Sequence, residues 1–293
     1  MRALIAAALA AVLLSLAPEA RSFSDIQHPN RLTVLVTVLA NPGAPVAGLT
    51  AADFVVREGS ATREVIDASL SDEPLSVAML VDTVKPPMGS QAPVRDIRTS
   101  FAAFVVAIRA HAPGTALSLT EFGGAPVTVA DFDVPAEKLD FAVARIYPNL
   151  PSDAKLLEAL DDASTRLRAR PMPRRAIVSV DLHSVEGGDE AMMTRAAKAV
   201  SASGATYWAI SVRGPGQSAR RRDSVLDAVT KSSGGLRVFA AEAAGLETLL
   251  TQVAASLASQ YVVTFARPSS QPVAPVTMDC RCGNRVRLSP MIR

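Results

Sequence analysis

The chain has 293 residues, 49% of them hydrophobic and 20% charged, which is enough to bury one large core or two modest ones and excludes a disordered polypeptide. Its 30 Lys and Arg against 28 Asp and Glu leave a formal charge of +2, and the cations are scattered apart from Arg220-Arg221-Arg222. Nucleic-acid binding needs a broad basic face, so it is excluded as an expectation.

Residues 1–22 open with Arg2, run almost unbroken in apolar residues from Ala3 to Ala17, and end polar. This is the pattern of a secretory signal peptide, and the run is shorter than the roughly 20 apolar residues of a membrane span. Cleavage after Ala20 or Ser22 would leave a secreted or periplasmic chain. Membrane attachment is expected only if the segment stays uncleaved.

Residues 31–71 have β texture. In "RLTVLVTVLA", Val34, Val36 and Val38 alternate with Thr33, Leu35 and Thr37 as on a half-buried strand. Thr50 caps a short turn with Asp53 three residues on, and "DFVVREGSATREVIDASL" reads as two strands about a Gly59-Ser60 turn.

Residues 75–266 alternate β and α. "LSVAMLVD" is a fully apolar strand, and the helix from Pro93 to Ile108 carries Ile97, Phe101, Phe104, Val105 and Ile108 on one face. "ALSLTEF" and "APVTVADFD" form a hairpin, followed by a helix over Pro135–Arg145. Ser152 is placed to cap a helix with Leu156, Leu157, Leu160 and Leu167 inside. Then come the strand "AIVSVD", the helix Glu190–Ser203, the strand "TYWAISV", the helix Arg220–Ser232, the strand "LRVFA" and the helix Ala243–Ser259. Such alternation implies an α/β, Rossmann-like, doubly wound and mostly parallel sheet with helices on both faces. Tyr207 and Trp208 lie on a strand and are expected in the core.

"QYVVTFA" returns to β, and residues 267–293 read as a Pro/Ser linker and a hairpin turning at Gly283-Asn284. The N- and C-terminal strands are expected to pack together as a small β module flanking the sheet, with Tyr261 where the last helix meets it. Cys280 and Cys282, one residue apart, would share a strand face, and bridging such close neighbours strains disulfide geometry. A mutual disulfide, free thiols and an intermolecular bridge all stay open. Zinc is not expected, because the two Cys sit in one place and His28, His111 and His183 have no paired ligand spacing.

The α/β part resembles a von Willebrand factor type A domain. The phrases "VAGLTAADFVVREGS", "LSVAMLVDT" and "SQYVVTFARP", in that order, resemble the bacterial exported variant of that family. The resemblance implies a metal-ion-dependent adhesion site for Mg²⁺ or Mn²⁺ at the carboxyl ends of the strands, built from Asp-x-Ser-x-Ser, a loop Thr and a later Asp. Asp82 and Asp181 match the two aspartates, but Val84 and Pro86 replace the serines. At the threonine position Ser152 or Asp153 could offer oxygen and Ala154 could not. A hard octahedral cation needs oxygen ligands. The site is therefore expected to be degenerate and metal-free, with Asp82, Asp153 and Asp181 as the ligands if Mg or Mn binds after all. In the metal-free case the Lys85 ammonium is expected at or beside the vacated cation position, because paired carboxylates need a counter-charge.

The function so implied is non-enzymatic binding of another envelope or extracellular protein through a rim of Thr83, Lys85, Ser152 and His183. Two enzymatic readings are weaker. "GPGQSA", from Gly214 to Ala219, matches G-x-G-x-x-A before three arginines, but it comes late in the fold rather than at the first βα turn of a nucleotide site. Asp181, His183 and Ser184 crowd one loop, whereas a catalytic triad is assembled from separate elements, and no G-x-S-x-G elbow occurs.

Overall fold

A computed structural model describes residues 30–41, 43–85, 94–148, 151–182, 184–186, 188–213, 222–268 and 274–292. The signal-peptide segment, His183, Pro86 and the Gly214–Ala219 loop lie outside the described residues. In chain order the elements are β1 (Asn30–Leu39), β2 (Phe54–Glu58), β3 (Ala61–Arg63), β4 (Val65–Leu70), β5 (Leu75–Val81), α1 (Val94–His111), β6 (Ala116–Glu121), β7 (Val127–Ala130), α2 (Ala136–Ala144) and α3 (Leu156–Ala169). They continue with β8 (Arg174–Asp181), α4 (Glu190–Ser203), β9 (Thr206–Val212), α5 (Asp223–Ser232), β10 (Arg237–Ala240), α6 (Leu246–Ala258), β11 (Tyr261–Arg267), β12 (Val276–Cys280) and β13 (Arg285–Ile292).

The central sheet runs β10-β9-β8-β5-β6-β7, parallel except for the antiparallel edge strand β7. All seven residues of β5 are buried, because helices cover both faces. Val77, Met79 and Val81 join α1, α2 and α6 in one core, while Ala78 and Leu80 join α3, α4 and α5 in the other. The strand period of two divides β5 between two layers. Tyr207 and Trp208 fall on opposite sides of β9 in these same cores, as expected.

The flanking β module is a sandwich. One sheet runs β13-β1-β11-β4 and the other β12-β2-β3. Between them lie Val34, Val36 and Val38, with Phe54, Val56, Tyr261, Val263, Phe265 and Met278. Tyr261 packs edge-on against Phe54, and its hydroxyl donates to the Val46 carbonyl at 3.0 Å. β11 pairs with both β1 and β4, so the chain re-enters the sandwich directly after α6.

Two expectations are corrected. β12 pairs with β2 and β13 with β1, so the C-terminal turn crosses between the two sheets and does not close a hairpin ladder. The strands on either side of it serve opposite walls of one core. Ser152 does not cap α3, which starts at Leu156 with Lys155 at the cap position and no side-chain cap bond. Ser152 is instead exposed in the preceding loop.

The sandwich and the α/β layer meet at Arg174, only 2% exposed at the start of β8. Its guanidinium donates to the carbonyls of Ser71 and Glu73 at 3.3 and 3.1 Å, to Gln260 Oε1 at 3.2 Å, and to the Leu257 carbonyl. Burial pulls its pKa down to about 10, which leaves it charged at neutral pH. It thereby binds the β4–β5 connection to the end of α6. Gly234 secures a second contact with φ at +76°, where a Cβ would stand 1.9 Å from the Leu288 carbonyl of β13.

Replacing Arg174 with Met leaves several buried carbonyls without a donor. We expect it to cost about 3 kcal/mol in urea unfolding at neutral pH. Arg170→Ala, which breaks a pair with the exposed Asp133, should cost under about 1 kcal/mol.

Candidate functional site

The order of the central sheet decides where a site can form. From β5 the chain steps to β6 on one side, and β8 then returns on the other side of β5. Neighbouring connections therefore diverge at the carboxyl ends of β5 and β8, the switch point where α/β sheets open a crevice. Asp82 and Asp181 stand at those two strand ends.

Both aspartates are buried. Asp82 Oδ1 accepts from the Val84 N–H at 2.9 Å, and Oδ2 accepts from the Leu182 N–H at 3.0 Å. The buried Ser184 hydroxyl also faces this carboxylate, although it closes no hydrogen bond of normal geometry. Burial pushes the Asp82 pKa up, and the nearby charge of Asp181 adds to the rise against the lowering effect of these contacts. Asp181 Oδ1 accepts from Arg222 at 2.9 Å, and Oδ2 accepts from the Ser211 hydroxyl at 2.5 Å.

Arg222 is the cation of the site. It sits just ahead of α5, its side chain 0% exposed, and its second nitrogen donates to Glu186 at 2.9 Å. Burial works against its charge, but Asp181, Glu186 and Asp82 together outweigh that and raise its pKa. The Glu186 carboxylate lies against the Leu156 and Leu157 N–H groups, where it complements the positive end of α3. Burial still lifts the Glu186 pKa. Behind Asp181, Ser211 accepts from Arg237 at 3.0 Å, and Arg237 donates to Asp223 at 2.7 Å. The carboxyl ends of β8 and β9 and the first residue of β10 thus share one polar network.

Backbone bonds fix the loops above it. Gly123 N–H donates to Thr83 Oγ1 at 3.2 Å, Gly124 N–H to the Asp153 carbonyl at 3.1 Å, Ala154 N–H to the Val185 carbonyl at 2.7 Å, and Lys155 N–H to the Phe122 carbonyl at 2.9 Å. A Cβ on Gly123 would stand 2.7 Å from the Thr83 carbonyl carbon, so only glycine lets these loops approach.

Lys85 does not supply the counter-charge. It is exposed, and Arg222 takes that part because the start of α5 folds against the ends of β8 and β9. Thr83 is buried and committed to Gly123, so it is not a rim residue. Asp153 and Ser152 are exposed, whereas Asp82 and Asp181 are buried. The predicted residues separate into a buried layer of Asp82, Thr83 and Asp181 and an exposed layer of Lys85, Ser152 and Asp153. Glu186 went unnoticed in the sequence, and Arg222 was noted only as part of the Arg220-Arg221-Arg222 run, not as a partner of the carboxylates. The available signal was the need of two buried carboxylates for a cation, which any Arg entering a helix beside these strands could meet.

A von Willebrand factor type A protein from Catenulispora acidiphila superposes with a TM-score of 0.54 at 10% identity, covering 92% of this chain and 74% of that one. The α/β domain has the von Willebrand factor A fold. Two structures of proximal thread matrix protein 1 from the mussel byssus, one with a zinc-occupied metal-ion-dependent adhesion site, match this A-type fold at a TM-score of 0.51 and 12% identity. They cover 75% and 67% of this chain, which spans about half of theirs, 50% and 48%. No family model and no curated protein sequence matches the chain.

The residues here do not suit the divalent ion of such a site. Both oxygens of Asp82 accept backbone N–H groups, both oxygens of Asp181 are engaged by Arg222 and Ser211, and buried Val84 stands at a hydroxyl position. Among the described residues of the site, Ser184 Oγ, Glu186 Oε1 and Arg222 Nε close no hydrogen bond of normal geometry, and the last is a cationic donor that repels a metal ion. Among the described residues no group of three or more His, Cys, Asp and Glu is arranged to hold an ion.

Removing one partner of this network strands a buried charge. Arg222→Met should cost about 3–5 kcal/mol at neutral pH by urea unfolding. Asp82 and Glu186 both have raised pKa values in the folded state, so their contribution is fully present below the ordinary carboxylate range and is lost as pH rises through the raised values. As pH rises above the ordinary carboxylate range the native chain should therefore lose stability, and Glu186→Gln should flatten that slope.

Proposed function

We propose that the protein is an exported, non-enzymatic binding module of the adhesion type, whose A domain contacts another envelope or extracellular protein without a metal ion. The observation that carries this reading is Arg222. A guanidinium fixed between Asp181 and Glu186 supplies within the chain the positive charge that a divalent ion would otherwise bring.

What remains for a partner is the surface above that network. Among the described residues it includes the exposed Lys85, Pro151, Ser152 and Asp153 and the half-exposed Val185, which bring a cation, an anion and an apolar side chain. The described parts of its loops are held by the hydrogen bonds at Thr83, Gly123, Gly124 and Ala154, so those parts lose little ordering entropy on docking. Export is supported by the apolar segment from Ala3 to Ala17 behind Arg2. The protein-binding role draws on the fold it shares with the mussel thread matrix protein and on this rim.

Titration calorimetry with Mg²⁺ and Mn²⁺ should give no binding heat up to about millimolar ion, and micromolar binding would defeat the metal-free reading. Crosslinking of the full chain in an envelope extract should capture a partner equally with and without EDTA. Capture should fall at least ~10-fold in a Lys85→Glu/Val185→Asp variant whose melting temperature is unchanged.

A further inference from the structure

Cys280 and Cys282 form a disulfide with their Cα atoms 5.0 Å apart, closing a loop of a single intervening residue. So short a loop removes little entropy from the unfolded chain, which makes the bond a poor staple. The turn is also held without it. Cys280 pairs with Phe54 across β12–β2, the Arg281 N–H donates to the Asp53 carbonyl at 2.8 Å, and the Gly283 N–H donates to the Cys280 carbonyl at 3.1 Å.

The two sulfurs differ in their surroundings. Cys280 is 8% exposed and packs in the sandwich core, whereas Cys282 lies on the surface. A thiolate arriving from solvent therefore meets Cys282 Sγ, and Cys280 becomes the leaving group. The Cys282 N–H already donates to Cys280 Sγ at 3.2 Å, so the sulfur that would carry the departing charge has a donor in place. Arg281 stands between the cysteines and Arg285 follows. Of the nearby anions, Asp279 is paired with Arg57 at 2.5 Å and Asp53 accepts from Thr50. A polar cleft of about 350 Å³, lined by Asn41, Leu236, Gly283, Asn284 and Arg285, opens beside the turn.

We propose that Cys280–Cys282 is a redox-active disulfide that oxidises a pair of cysteine thiols on another polypeptide seated at this cleft. One substrate thiolate attacks Cys282 Sγ, forming a mixed disulfide as the Cys280–Cys282 bond breaks, and Cys280 leaves as a thiolate that takes a proton from water. The second substrate thiol, deprotonated by water, attacks its partner sulfur in the mixed disulfide and releases Cys282 as a thiolate that in turn takes a proton from water. The substrate becomes a disulfide, and two electrons and two protons reside on Cys280 and Cys282.

The test uses the full chain without denaturant. Dithiothreitol at neutral pH should open the bond within about minutes, as read by thiol alkylation and mass spectrometry, with circular dichroism and melting temperature unchanged. The oxidised chain should convert a reduced two-cysteine peptide to its disulfide mole for mole. Cys280→Ser, which keeps the exposed sulfur, should form a mixed disulfide with oxidised glutathione at least ~10-fold faster than Cys282→Ser. The proposal is overturned if the bond yields only to unfolding, if its reduction lowers the melting temperature, if the peptide stays reduced, or if the two variants react at equal rates.

Discussion

Asp82, Asp181 and Glu186 would repel one another at the end of the central sheet if the Arg222 guanidinium were elsewhere. Each carboxylate is largely withdrawn from water, so its ionised form needs compensation on the spot. Arg222 bonds to two of the three and acts electrostatically on the third, while backbone N–H groups at Val84 and Leu182 complete the shell of Asp82. That arrangement pins the loops after β5 and β8, the loop before α3 and the start of α5 to one point. The described residues of the rim rest on a layer that is tied together from within.

A second buried guanidinium does comparable work at the opposite end of β8. Arg174 collects carbonyls from the β4–β5 connection and the end of α6, which are the places where the chain leaves and re-enters the sandwich. The strand is thus held by an arginine at each end, one joining the two layers of the protein and one closing the site. Both are chemically costly features to bury, and both are surrounded by acceptors numerous enough to offset the cost.

Much of the fold was legible because it rests on local periodicity. The apolar run of β5 and the face of α1 carrying Ile97, Phe101, Phe104 and Ile108 each declare burial through spacing alone, whereas the alternation at Val34, Val36 and Val38 marks a strand whose intervening Leu35 and Thr37 prove to be buried as well. The Thr50–Asp53 capping box was readable for the same reason, since its partners are three residues apart. The C-terminal turn was misread because a hairpin and a crossover between stacked sheets share the same turn residues. Only the partners of β12 and β13, far away in sequence, distinguish the two.

At the site, the positions of Asp82 and Asp181 at strand ends and the loss of hydroxyls at Val84 and Pro86 were fixed by the order of residues, which marked a carboxylate pair lacking its usual companions. The identity of the cation was not. Lys85 is three residues from Asp82 yet points to solvent, whereas Arg222 is 41 residues from Asp181 and lies against it. Electrostatic pairing acts through space, and the sheet order that brings the start of α5 over the ends of β8 and β9 exists only in the folded chain. Sequence proximity determined which strands and helices form, and tertiary packing decided which charge answers which.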